Sequence, residues 1–94
     1  MEINWNKVKK VFVNDNTSKD INLSNASLNL TITNAICKYY PGQNNDFNNY
    51  RIAKSIREMK EKYKETVGVD DFFSAFQVFY SAISNKEYIQ FLKN

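Results

Sequence analysis

The chain contains no histidine and one cysteine, Cys37, so the commonest general base and the commonest metal ligand are missing together. A zinc site is thereby excluded, and any metal would need an all-oxygen ligand set. Outside the charged middle segment the acidic candidates are Asp70-Asp71 and Asp15 with Asn16. Neither carries the alternating, glycine-containing spacing of a calcium loop. A helix start accounts for Asp70 and a turn accounts for Asp15. Cys37 lacks the imidazole that would activate a thiol, which leaves it the role of a small packing residue. Gly42 and Gly68 stand 26 positions apart, so there is no glycine-rich phosphate loop and no nucleophile elbow. The expectation is a protein that is not an enzyme and holds neither metal nor cofactor.

Charge supplies the next candidate. Thirteen basic against ten acidic residues give +3, too little by itself to argue for a polyanion. Between Arg51 and Glu65, however, six basic residues face three acidic ones, a local excess equal to the whole net charge. Arg51, Lys54, Arg57, Lys60 and Lys64, with Tyr50 and Tyr63 nearby, are the residue types that contact a phosphate backbone. The interleaved Glu58, Glu61 and Glu65 oppose that use. The segment that follows is also too apolar for a recognition helix. Nucleic-acid binding through residues 47–65 is therefore the alternative function.

These residues must be positioned by one domain, since 94 residues leave no room for a second core. Seven Phe, six Tyr and one Trp supply bulk, while two Gly and one Pro favour helices over a many-stranded sandwich. The densest apolar stretch is Asp70 to Ile83. Phe72, Phe73, Phe76, Phe79, Tyr80 and Ile83 there form one wide helical face, and Asp70 and Asp71 suit the start of the helix dipole.

Upstream, Ile3, Trp5, Val8, Val11, Phe12 and Val13 read as a strand, Asn14 to Ser18 as a turn, and Lys19 to Leu23 as a returning strand. Ser24 to Ser27 reads as irregular. Leu28, Leu30 and Ile32 alternate like a strand, whereas Ile32, Ala35, Ile36, Tyr39 and Tyr40 repeat like a helix. A helix from about Leu30, capped by Asn29 and stopped by Pro41-Gly42, is the longer pattern; a strand over Leu28 to Ile32 is the alternative.

Asp46 is expected to cap a charged helix whose apolar stripe runs through Phe47, Tyr50, Ile52, Ala53, Ile56, Met59 and Tyr63 and which Gly68 terminates. Lys54–Glu58, Arg57–Glu61 and Glu58–Lys62 fall at i, i+4 on its outer face. Ser84 and Glu87 have capping-box spacing ahead of a short helix with Tyr88, Ile89, Phe91 and Leu92.

The fold class is thus α+β: one domain over 1–94, with a β-hairpin over 1–25 packed on a body of three to four helices over 28–94. The lone cysteine, the lack of a signal-peptide pattern and the lack of an 18-residue apolar run imply a cytoplasmic protein that does not span a membrane.

The succession of a polar hairpin, LNLTITNAICKYY, the charged helix NYRIAKSIREMKEKY, VDDFFSAFQVFYSAIS and a closing helix resembles small accessory proteins of phages and prophages of Gram-positive bacteria. The resemblance spans Lys19 to Leu92 and is one of layout. It implies a protein that works by contact with phage or host components, and it carries over no functional residue.

The aromatic helix is broader than a small domain needs for its core, and exposed aromatic patches mark association sites. The leading expectation is a non-enzymatic interaction module, an accessory factor or inhibitor docking on a host or viral protein, with self-association as a further possibility. Its candidate anchors are Phe73, Tyr80, Tyr39, Tyr40 and Trp5.

Overall fold

A computed structural model describes residues 2–16 and 19–94. Its elements run α1 (Trp5–Asp15), β1 (Asp20–Asn22), α2 (Leu28–Cys37), a 3-10 turn (Pro41–Gln43), α3 (Asp46–Lys62), β2 (Thr66–Gly68), α4 (Val69–Ala82) and α5 (Asn85–Lys93). The class is α+β and helix-dominated.

The hairpin expected over 1–25 does not form, because its first arm is helix α1. Trp5, Val8 and Phe12, with Val11, recur at helical steps, and Val8, Val11 and Phe12 are buried together. Asn4 caps this helix by accepting the Lys7 N–H at 3.2 Å. Five β-branched or aromatic residues favour a strand only by tenths of a kcal/mol each, on the order of the propensity differences; burial of one helical face outweighs them. The first two residues of the expected turn are helical too. Asn14 and Asp15 end α1, and Thr17 and Ser18 lie outside the described residues.

The returning strand exists as β1, with a different partner. It pairs antiparallel with β2, in register Asp20↔Gly68, Ile21↔Val67 and Asn22↔Thr66. The Leu23 N–H donates to Glu65 O at 2.8 Å and the Val69 N–H to Lys19 O at 3.1 Å, extending the ladder by a residue at each end. Ile21 and Leu23 point into the core, which fixes the register, since a one-residue slip would turn both to solvent.

Between Leu28 and Ile32 the helical pattern prevails. Leu28, Ile32, Ala35 and Ile36 are buried, whereas Leu30, which alternation would bury, is 63% exposed. α2 begins earlier than expected, after Ser27, whose N–H is taken by the Asn25 side chain at 2.9 Å; Asn29 lies inside the helix. α2 ends at Cys37, ahead of the 3-10 turn that Pro41 opens.

In α3 the cap is Asn45, which accepts the Asn48 N–H at 2.8 Å, and Asp46 is the first helical residue. The buried face is Asn48, Ile52, Ser55, Ile56 and Met59, rotated away from Phe47, Tyr50 and Tyr63. The helix stops at Lys62. Gly68, expected as its terminator, instead closes β2 and opens α4. None of the three i, i+4 pairs reaches ion-pair distance; among the described residues the ion pairs are Lys9–Asp70, Lys38–Asp15 and Lys54–Glu87. Asp70 and Asp71 do occupy the first turn of α4, and Ser84 does cap α5, accepting the Glu87 N–H at 3.1 Å.

α4 is the central helix. Phe72 and Phe76 are wholly buried, Phe73 and Tyr80 nearly so, and α3 and α1 pack against this helix, with β1 and β2 beside it. From α1, Phe12 meets Phe73 edge-on at 5.5 Å between centroids, and Trp5 meets Phe76 at 5.5 Å and Tyr80 at 5.1 Å in the same manner. Such geometry sets each ring's positive edge against its neighbour's negative face.

Candidate functional site

The anchors expected on the aromatic helix lie inside. Phe73 and Tyr80 are each 3% exposed, so neither faces a partner. Trp5 and Tyr40 are half-buried against the core, and the Tyr40 hydroxyl accepts the Asn4 N–H at 2.9 Å, tying the turn after α2 to the start of α1. Of the five anchors only Tyr39 is exposed, with Lys7 Nζ 5.5 Å from its ring centroid. Of its large apolar side chains, α4 leaves Val78 outside, together with part of Phe79.

The five basic candidates divide in two. Arg51 donates through Nε and Nη2 to Tyr80 O at 3.2 and 3.0 Å, and its guanidinium carbon lies 3.8 Å from the Tyr80 ring centroid and 5.2 Å from that of Phe47. Lys54 is bonded to the Glu87 carboxylate, and that hydrogen bond, more than any other influence, raises its pKa above the ordinary lysine value. Both residues therefore join α3 to its neighbours. Arg57, Lys60 and Lys64 remain exposed. A phosphate backbone would meet a shorter basic track than the sequence count implies.

Cys37 is half-buried, and desolvation raises its thiol pKa, which favours the neutral, unreactive form. Asp70 pairs with Lys9 at 3.1 Å. Among the described residues no group of three or more His, Cys, Asp or Glu side chains converges on one point.

A second aromatic group lies outside the core, where α5 crosses α3. Tyr88 sits 5.4 Å from Phe47 and 5.2 Å from Tyr50, and Phe91 sits 4.7 Å from Tyr50, all between tilted rings. α5 buries none of its residues. On a helical wheel Phe91, Tyr88, Leu92 and Ile89 fall in sequence around one wide apolar arc. The α3 rings meet its Phe91–Tyr88 half, while Phe91 and Leu92 remain 56% and 62% exposed and Ile89 also faces outward. A nine-residue helix is below the roughly 12–15 residues at which helices become marginally stable in water, so α5 depends on this contact, the Ser84 cap and the Lys54–Glu87 pair. The signal was present in the sequence as four apolar residues in five positions, more than a helix resting on one neighbour can cover.

Fold and surface together define a small helical α+β domain with an aromatic outer face between α3 and α5. No protein-family model matches the chain, and no curated protein or solved structure matches it. No helix among the described residues is long and apolar enough to cross a membrane.

Proposed function

We propose that the protein is a non-enzymatic interaction module that docks on a host or viral protein through the α3–α5 surface, as an accessory factor or inhibitor of the phage type. The observation that carries this reading is the exposure of Phe91, Leu92 and Ile89 beside a half-exposed Tyr50–Tyr88 pair, on a helix with no fully buried residue. Contiguous apolar surface rimmed by polar residues marks interaction sites, and aromatic side chains dominate binding energy there. The exposed Lys86, Gln90 and Lys93 follow Ile89 around the helix and supply the polar border on that side. The lone Cys37 fits action in a reducing cytoplasm.

The test is capture of a partner from lysate of the source organism by the wild-type protein and by Phe91→Ser/Leu92→Ser, with light scattering for mass. Phe91→Ser gives up the Tyr50 contact and loosens α5, but both side chains are mostly in water and no core site is emptied, so the domain as a whole should melt within a few degrees of wild type. Phe73→Ala, by contrast, should lose about 3–5 kcal/mol because it empties a core site. Loss of capture with retained folding is the expected result. Undiminished capture by the folded variant would sink the proposal, and a mass that halves on substitution would make the surface a homodimer contact instead.

A further inference from the structure

The outer edge of β2 and the adjoining face of α4 line an apolar groove of about 740 Å³. Val67, Ala75 and Phe79, all half-buried, line it, together with Val78, which is 67% exposed. No residue of β1 borders it, so it lies on the side of β2 away from the existing ladder.

The register fixes what that edge offers. Leu23 with Glu65 and Lys19 with Val69 are hydrogen-bonded pairs, and such pairs alternate along an antiparallel ladder. Ile21–Val67 is therefore the next such pair, and the main-chain N–H groups of Thr66 and Gly68, with the Thr66 carbonyl, point away from β1. An unpaired strand edge is a template for another extended chain. Charge narrows the choice of chain. Lys62 and Lys64 stand on the groove's rim, Lys62 Nζ lies 6.0 Å from the Phe79 ring centroid, and among the described residues neither lysine has a carboxylate within ion-pair distance. Asp71 is the one acidic residue among those lining the groove.

We propose that this groove receives an extended acidic segment of a partner protein, which adds to β2 as a third strand, seats alternate apolar side chains over Val67, Ala75, Val78 and Phe79, and sets carboxylates against Lys62 and Lys64. Main-chain pairing supplies affinity in this mode, and side-chain pockets and charge supply selectivity. A second copy fits less well: it brings the same lysines, and its strand passes into α4 at Val69, so it offers only three residues. The site is independent of the α3–α5 surface.

The probe is an acetylated, amidated hexapeptide of alternating Glu and Val, titrated into the isotope-labelled full chain and followed by amide chemical shifts. A Lys–Val hexapeptide is the control. Expected are shifts at Thr66, Gly68, Val78 and Phe79, slower exchange of the Thr66 amide, and binding that falls as salt rises. Lys62→Glu/Lys64→Glu should weaken binding about tenfold. Thr66→Pro, which removes an outward N–H at an edge position that tolerates proline, should abolish it. Phe91→Ser/Leu92→Ser should leave it unchanged, which keeps this proposal separable from the docking surface on α5. Equal binding of the lysine peptide, shifts confined to α5, no shifts at millimolar peptide, or shifts that follow protein concentration without peptide would each overturn it.

Discussion

Tyr80 on α4 donates its hydroxyl proton to Oδ1 of Asn48 on α3, in a helix contact where both side chains are buried. The bond lies between the two longest helices, α3 and α4, among the buried apolar residues Ile52, Ile56, Met59 and Phe76. Removing the hydroxyl alone strands the Asn48 acceptor away from water, so Tyr80→Phe should cost about 1–3 kcal/mol. Asn48→Leu added to Tyr80→Phe replaces both partners by apolar groups and should recover part of that loss. Urea melts of the wild type, both single variants and the double variant give the coupling. Strictly additive losses would show that the two groups do not act together.

The same tyrosine sets the response to alkali. Burial raises the Tyr80 pKa above the ordinary tyrosine value, and this outweighs Arg51 and the Asn48 bond, which pull it down. The unfolded chain therefore releases this proton first as pH rises, so the unfolded state binds fewer protons and stability falls with increasing pH. The contribution is whole below the unfolded value of about 10 and is lost as pH climbs through the folded one. Lys54 adds the same sign. Its pKa is raised by the bond to Glu87, so what that bond contributes is present below the ordinary lysine value and disappears above it. The melting temperature should drop from about pH 10 upward, and less steeply in Tyr80→Phe. An unchanged slope in that variant would place the alkaline sensitivity elsewhere.

The parts of the fold that could be read from the chain are those with both a period and a punctuation mark. α4 has acidic residues in its first turn and six apolar positions on one face, and α5 has Ser84 and Glu87 at capping distance. α1 was illegible because Ile3, Trp5, Val8, Val11, Phe12 and Val13 fit both periods over so short a run, and the marker that decides it is Asn4, a cap with no second signal three residues on. The β1–β2 ladder joins residues 44–48 apart, a pairing that local pattern does not contain. The candidate anchors failed for a related reason. By pattern Phe73 and Tyr80 exceed what a core needs, but the covering element is α1, whose Trp5 and Phe12 close over them once it is a helix. Exposure is set by which neighbour arrives, and only Tyr39 among the five was left without one that buries it.

Arg51 was a phosphate contact by sequence and is a helix terminator by structure. Two of its N–H groups converge on Tyr80 O, in the last turn of α4, where the dipole is negative and this carbonyl otherwise accepts only the Ile83 N–H, at 3.3 Å, among the described residues. The guanidinium plane also rests on the Tyr80 ring, an arrangement an ammonium group cannot reproduce. Arg51→Lys keeps the charge but gives up the fork and the stacking, so it should cost about 1.5–3 kcal/mol of stability, most of what Arg51→Ala costs. Nonspecific affinity for DNA responds to charge and to salt and should not distinguish Arg51 from Lys. Urea denaturation beside anisotropy titration of a labelled oligonucleotide at two salt concentrations separates the roles. A lysine variant as stable as wild type would return Arg51 to the surface, and with it the case for a phosphate backbone along α3.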